Sequence, residues 1–69
     1  MATQTAVTWN GTAFEPLEHD DYKSARGYVA EFVAFHATEV GYRARRIEPD
    51  AWRITGSGET LVIRIREGN

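Results

Sequence analysis

Residues 20–41 read DDYKSARGYVAEFVAFHATEVG and form the one long helical pattern in the chain. On a helical wheel with 3.6 residues per turn, the apolar and aromatic side chains fall on one continuous arc. The members of this arc are Tyr22, Ala25, Tyr28, Val29, Phe32, Val33, Phe35, His36 and Val40. A face of this size needs an apolar cover. Because the sequence has no second helical pattern, we expect the cover to be a β-sheet.

Both ends of this pattern carry residues that favour helix termini. Asp20 and Asp21 stand where an N-cap and first-turn anions are favourable, because the first amide groups of a helix lack partners and its dipole is positive there. Gly41 follows the last apolar position and can adopt the positive φ that commonly ends a helix. The sequence therefore predicts a helix that begins at the aspartates and ends at Gly41.

The segment before the helix predicts a β-hairpin. Residues 5–9 alternate in polarity and lead into Asn10 and Gly11, a pair that favours a two-residue type I′ turn because both of its central positions need positive φ. In this register three large apolar side chains share one face, and we expect them to pack in the core. They are Val7, Trp9 and Phe14.

Proline limits the extent of this hairpin. Pro16 cannot donate a ladder hydrogen bond, so we expect the second strand to stop by Glu15. Residues 16–19 are then the connection to the helix, and residues 1–4 are expected to fray. Two strands are therefore predicted ahead of the helix.

Three further strands are predicted after the helix. They span residues 42–47, 52–55 and 60–66, with turns at residues 48–51 and 56–59. The neighbouring Arg45 and Arg46 interrupt the alternation of the first of these strands, and a β-bulge would account for this. The predicted fold is α+β, an antiparallel β-sheet in ββαβββ order with one long helix packed on one face. We interpret residues 1–69 as a single small domain.

Composition excludes several classes of protein. With 42% apolar and 26% charged residues, the chain is typical of globular rather than disordered proteins. It has no apolar run near the ~20 residues of a membrane span and no basic-then-apolar start, so we expect a soluble cytoplasmic protein without a membrane partner. The absence of cysteine excludes disulfides and thiolate metal sites. A chain of 69 residues buries only about 60% of its unfolded surface, so a partner would help to stabilise it.

Few residues in the sequence could carry chemistry. His36 lies on the apolar arc, where a core histidine with one hydrogen bond is commoner than a ligand or a base. His19 lies in the acidic segment 15–21, but helix capping explains its aspartates without a bound ion. Neither Ser24 nor Ser57 lies in a strand-turn-helix elbow beside a base. We therefore expect a non-enzyme with no catalytic residue, no cofactor and no metal.

The charges divide between the two halves of the chain. Residues 1–41 carry two cations against six anions, whereas residues 42–69 carry six arginines against four anions. Strand alternation places most of these arginines on the sheet face opposite the helix. Because arginine forms bidentate hydrogen bonds with carboxylates and phosphates, this face is the predicted partner-binding surface. Its members are Arg43, Arg45, Arg53, Arg64 and Arg66.

Three interpretations of this arginine face remain open. A protein partner with an acidic patch would match its charge. An RNA or DNA backbone would match it too, but single-strand binders also expose aromatics for base stacking, and the pattern above assigns the aromatics to the core. The third interpretation is a solvated face whose arginines prevent edge-to-edge pairing of sheets.

A second candidate surface lies on the back of the helix. Gly27, Ala30, Ala34 and Ala37 recur at spacings of three, four and three, and we call them the small-residue ridge. Small side chains allow another helix to approach closely, so the ridge is predicted to be a dimer or partner-helix face. Helix propensity also explains the alanines. It does not explain Gly27, since glycine costs about 1 kcal/mol relative to alanine in a helix.

These features lead to a hypothesis of a small non-enzymatic protein-interaction module. It would act as an adaptor, inhibitor or accessory factor that docks on a larger macromolecular partner, either as a monomer or as a homodimer. One form of the hypothesis is a protein carried by a phage or other mobile element that blocks a host complex. The alternative is a nucleic-acid-binding protein that uses the arginine-rich sheet face.

Overall fold

A computed structural model describes residues 2–68 and shows one helical segment against an antiparallel sheet of six strands. The strands are β1 (Ala2–Trp9), β2 (Thr12–Ala13), β3 (Leu17–His19), β4 (Arg43–Glu48), β5 (Ala51–Gly56) and β6 (Glu59–Gly68). The helical segment consists of α1 (Tyr22–Phe35) and a π-helical turn (His36–Val40) that follows it directly. The predicted α+β fold is confirmed, with the element order β-β-β-α-β-β-β and thus one more strand before the helix than predicted.

The sheet runs from β2 and β3 at one edge, through β1, β6 and β5, to β4 at the other edge. The predicted hairpin between β1 and β2 is confirmed, since Trp9 lies opposite Thr12 and the turn residues Asn10 and Gly11 have φ angles of 50° and 86°. Asn10 also accepts a hydrogen bond through Oδ1 from Thr60 N at 2.9 Å. This bond ties the turn to β6.

The additional strand β3 arises because Pro16 interrupts the pairing with β1 without ending it. Phe14 N donates to Val7 O at 2.9 Å, and pairing resumes where Leu17 lies opposite Thr5. The chain advances three residues from Phe14 to Leu17, whereas β1 advances only two between Val7 and Thr5. The extra residue makes a bulge around Pro16. The expectation that this segment serves only as a connection is therefore wrong for Leu17–His19.

The start of β1 also differs from the expectation. Residues 2–4 were expected to fray, but they pair with the end of β6, where Gln4 lies opposite Arg66. They are held on their other side as well, since Thr3 lies opposite His19. The remaining residue of the expected frayed end, Met1, lies outside the described residues.

The helix begins at the aspartates and the helical segment ends at Gly41, as predicted, but the expected first-turn anion is absent because Asp20 precedes the N-cap. Asp21 is the N-cap, and its carboxylate accepts a hydrogen bond from Ser24 N at 2.8 Å. This bond stabilises the charged carboxylate and so lowers the pKa of Asp21 below its ordinary value. At the other end, Gly41 has a φ of 84°.

The last turn of the helical segment is π-helical rather than α-helical. Two of its side chains hydrogen-bond to carbonyl groups one turn earlier: His36 Nδ1 donates to Phe32 O at 2.8 Å, and Thr38 Oγ1 donates to Ala34 O at 2.7 Å. Side-chain bonds of this kind compete with the regular backbone pattern and loosen a helix locally. They also satisfy Nδ1 of His36, in line with the interpretation of this residue as structural.

The core is small because the helix crosses β1 and β6 and leaves the outer strands partly uncovered. The fully or nearly fully buried residues are Thr3, Thr5, Ala25, Val29, Ala51, Ile54 and Ile63. The expectation that Trp9 and Phe14 pack in the core is wrong, since they are 41% and 50% exposed at the sheet edge. Phe35 of the helical arc is 53% exposed.

Candidate functional site

The sheet face opposite the helix, which we call the open face, carries all five predicted arginines. Arg64 and Arg66 alternate with the helix-facing isoleucines of β6. On β5, Arg53 lies opposite Val62 of the same β6 face, and on β4, Arg45 lies opposite Arg53. Arg43 precedes Arg45 by two residues and shares its face. All five side chains are exposed.

An ion pair within the sheet engages Arg64. Its Nη1 lies 3.3 Å from Oε1 of Glu48. In the register, Glu48 and Arg64 lie on either side of Ala51, which is fully buried. The ion pair therefore closes over the middle strand, and Arg64 is less available to a partner than the sequence suggests.

A chain of hydrogen bonds engages Arg66 at the other end of the open face. Arg66 Nε donates to Gln4 Oε1 at 3.1 Å, and Gln4 Nε2 donates to Glu18 Oε2 at 3.2 Å. The chain crosses β6, β1 and β3, so it fixes the edge strand that the sequence did not predict. Two of the five predicted arginines thus have partners inside the molecule.

The other three arginines, Arg43, Arg45 and Arg53, form what we call the arginine cluster. Within residues 2–68 they make no ion pair and no side-chain hydrogen bond. Arg45 lies directly opposite Arg53, and Arg43 lies diagonally across from Arg53. Like charges directly opposite each other destabilise a sheet, so the cluster is a position where an anion would be favourable.

The neighbouring Arg46 belongs to the helix-facing side. It lies opposite Trp52, and its Nη2 donates to Pro49 O at 3.1 Å. The register shift falls between Arg46 and Glu48, one position after the adjacent arginines. Arg45 and Arg46 therefore lie on opposite faces of the sheet by ordinary strand alternation. The bulge lies at Ile47, after the two arginines at which it was expected.

The small-residue ridge is exposed at all of its predicted positions, Gly27, Ala30, Ala34 and Ala37. A Cβ atom on Gly27 would meet no atom within 4 Å. No contact inside the described part of the chain therefore requires glycine there.

The ridge borders a groove between α1 and β5. This first groove has a volume of about 280 Å³, and Ala30, Ala34 and Trp52 contribute to its walls. At one end, Arg26 Nη1 donates to the hydroxyl of Tyr22 at 3.3 Å, which raises the pKa of Arg26 above its ordinary value. The lining also includes Arg46 and the carboxylate of Asp50, which accepts a hydrogen bond from the Tyr22 hydroxyl, so the groove is mainly apolar and carries charges of both signs.

A second groove lies on the other side of the helix, next to the edge formed by β2 and β3. It has a volume of about 270 Å³, and its lining includes Phe14, Leu17, Phe32 and His36. Sequence reasoning missed this surface because Phe14 was assigned to the core and Leu17 to a loop. The one available signal in the sequence was Pro16, which lies between Phe14 and Leu17 and is a residue confined to edge strands and bulges of a sheet.

Among the described residues, no three histidine, aspartate or glutamate side chains come together as a group that could hold a metal ion. In the acidic segment 15–21, Asp21 caps the helix and Glu18 bonds to Gln4. Residues 2–68 contain no helix that is both long enough and apolar enough to cross a membrane. Comparison of the chain with protein-family models, curated proteins and solved structures finds no match.

Proposed function

We propose that this protein is a small non-enzymatic interaction module, an adaptor, inhibitor or accessory factor, that docks on a larger protein through the arginine cluster. The observation that carries this proposal is the direct juxtaposition of Arg45 and Arg53, neither of which forms an ion pair among the described residues, since the nearby Glu48 is paired with Arg64. A carboxylate placed between two guanidinium groups would accept bidentate hydrogen bonds and relieve their repulsion. The partner surface is therefore acidic.

An acidic protein fits this surface better than a nucleic acid. Phosphates would also bind arginine, but single-stranded nucleic acids additionally stack their bases on exposed aromatic rings. On the open face the cluster is surrounded by Thr55, Thr60 and Val62, with no aromatic side chain between them. Phe14 borders the open face only at its far edge, beside Arg64 and Arg66, and the other exposed aromatics lie at the β1–β2 hairpin and along the helical segment.

Exposed apolar surface supports a protein that binds a partner over one that remains unbound. Among the side chains that the structure describes, six large apolar ones are more than 40% exposed: Trp9, Phe14, Leu17, Tyr22, Phe35 and Val40. A partner that covers apolar surface gains about 25 cal/mol for each Å² removed from water. The same burial would stabilise a chain whose own core is small.

The small-residue ridge supports a second interface in this proposal, either a homodimer contact or a docking strip for a partner helix. Its exposure and the open space around Gly27 are the supporting observations. The cytoplasmic location and an origin in a mobile element stay predictions from the sequence.

Affinity capture with matched charge reversals tests the arginine cluster. We expect the wild type to retain a protein partner from extracts of its source cells at physiological salt, and Arg53→Glu to lose it. Lys23→Glu makes the same change of charge on the exposed helix surface, away from the open face, and should retain the partner. Equal capture by both variants would contradict the proposal. Capture that disappears after nuclease treatment, or that falls by orders of magnitude with added salt, would favour the nucleic-acid alternative.

A further inference from the structure

The outer edge of β4 is an unpaired strand edge next to the arginine cluster. Within residues 2–68, β4 pairs only with β5. The opposite edge of the sheet is broken by Pro16 and its bulge, so β4 offers the more continuous backbone. Residues Arg43–Arg46 keep regular register up to the shift that precedes Glu48.

The hydrogen-bond pattern fixes which backbone groups of β4 are free. Ile65 N donates to Asp50 O at 2.9 Å, and in an antiparallel ladder such bonded pairs recur at every second residue. The even-numbered residues of β5 therefore bond to β6, and the odd-numbered residues, which include Arg53, bond to β4. Arg45 is thus bonded to Arg53, while the N–H and C=O groups of Ala44 and Arg46 point away from the sheet.

We infer that the partner contributes an extended acidic segment, which adds to the sheet as a strand along β4. This inference rests on the proposed function, because it assigns the acidic partner surface to a particular conformation. Backbone hydrogen bonds to Ala44 and Arg46 would give affinity, as in other complexes formed by strand addition. Acidic side chains at alternate positions would lie on the open face against Arg43 and Arg45.

The intervening side chains of the added strand would lie on the helix-facing side of the sheet. There they would meet the small side chain of Ala44, the aliphatic part of the Arg46 side chain and the border of the first groove, where Trp52 lies opposite Arg46. Apolar side chains suit this surface. The segment is therefore expected to alternate acidic and apolar residues.

Charge argues against a second copy of this chain as the added strand. Three of the first four residues of β4 are arginine. In an antiparallel pair of two β4 strands, the outward-bonding Ala44 and Arg46 must lie opposite each other or themselves. Every two-fold pairing centred within Arg43–Arg46 that meets this condition places an arginine directly opposite another arginine. Such pairs are destabilising, whereas opposite charges across strands are favourable.

Three synthetic peptides of equal charge test the inference. The first alternates glutamate and valine, the second has the same composition with its glutamates in one block, and the third is the first with methylated backbone nitrogens on the edge facing β4. We expect the alternating peptide to bind and to slow hydrogen exchange of the Ala44 and Arg46 amides by about tenfold or more. The methylated peptide should bind about tenfold more weakly, since it lacks donors for the edge.

Two variants of the protein complete the test. Arg45→Glu should abolish binding of the alternating peptide. Ala44→Pro removes an outward N–H, which edge strands tolerate, and should weaken that peptide without loss of the fold.

Equal binding of all three peptides, with no amide protection, would overturn strand addition and leave charge-driven docking intact. If no peptide binds while capture of the partner still depends on Arg53, the inference fails and the proposed function survives. If capture is also indifferent to Arg53, both fail.

Discussion

The phenol ring of Tyr42 covers Gly56, which lies across from it at the ends of β4 and β5. A Cβ atom on Gly56 would overlap Cγ, Cδ1 and Cε1 of this ring. An aromatic side chain that lies over a cross-strand glycine shields the exposed backbone and pins the register. The same ring lies 6.2 Å from the imidazole of His36, so it links the end of the sheet to the π-helical turn.

Gly56→Ala should therefore destabilise the fold by about 1–3 kcal/mol, the range observed when side chains are overpacked. Urea unfolding measures this change in the free energy of unfolding. In a Tyr42→Ser background the ring is absent, and the same glycine substitution should cost little. An equal cost in both backgrounds would show that the ring is not the obstacle.

Arg53→Glu and Arg64→Glu should change stability in opposite directions, although both reverse a charge on the open face. The Arg64 substitution breaks its ion pair with Glu48 and places two carboxylates across Ala51. We expect a loss of up to about 1 kcal/mol, because the pair is exposed. The Arg53 substitution replaces a like-charge pair with an opposite-charge pair to Arg45, which is worth about 0.2–1 kcal/mol.

The charge-swapped double variant is the control for Arg64. Arg64→Glu combined with Glu48→Arg should recover most of the stability lost in the single variant, as measured by chemical unfolding. If Arg53→Glu and Arg64→Glu lower the free energy of unfolding equally, the division of the arginines into engaged and free ones is wrong. In a variant that combines Arg53→Glu with Arg64→Glu, the two opposite changes in the free energy of unfolding would partly cancel.

Gly11→Val should destabilise the hairpin by about 1–2 kcal/mol, because Gly11 has a φ of 86° and a β-branched residue is poorly tolerated there. Thr12→Val introduces the same side chain at an exposed strand position and should be nearly neutral. Thermal unfolding of both variants gives the comparison. Equal melting temperatures for the two would contradict the positive-φ requirement.

Local features of the fold could be predicted from the sequence, whereas features that depend on register could not. The helix arc, the Asp21 cap and the Asn10-Gly11 turn each depend on residues close together in the chain. The ion pair of Arg64 depends on a one-residue shift in β4, and this shift decides which side chain faces Ala51. The open-face composition was thus predictable, but which arginines have partners was not.

The same distinction explains the errors at the other edge. Pro16 correctly signals a break in pairing, but only the alignment of the whole β1 strand shows that pairing resumes at Leu17. Phe14 lies between β2 and β3, at the border of the second groove, where the helix covers it only on one side and leaves it 50% exposed. Sequence alternation indicates which side of a strand a residue occupies, but not whether another element covers that side.

The N-cap makes part of the stability depend on pH. The pKa of Asp21 is lowered in the folded state, so its charged form stabilises the fold above the unfolded-state pKa, near 3.9. This contribution is lost as the pH falls below that value and through the folded-state pKa. Asp21→Ala should therefore be less stable than the wild type at neutral pH, with a difference that narrows under acid. Asp21→Asn keeps a capping oxygen but has no charge to lose. It should therefore remove the pH dependence that Asp21 contributes and retain most of the stability that the cap provides.

The small-residue ridge is the predicted contact between two copies of the chain. If two copies meet there, Ala30→Arg and Ala34→Arg should convert a dimer to a monomer, since a long side chain prevents close approach of the two helices. Helix propensity would change little, because arginine is nearly as good a helix former as alanine. Light scattering at micromolar concentration measures the mass. Glu31→Arg introduces the same side chain at an exposed helical position outside the ridge and should leave the mass unchanged.

Gly27→Ala separates the role of the ridge in the monomer from its role in an interface. Because a Cβ atom there meets nothing within 4 Å, the substitution should stabilise the monomer by up to about 1 kcal/mol through helix propensity and the unfolded-state entropy. If another helix packs on Gly27, the same Cβ atom should weaken that association. A variant that is more stable and equally associated would show that the glycine serves no interface. If the wild type is monomeric, the remaining role for the ridge is to bind a helix of a different protein. Ala30→Arg should then abolish capture of that protein.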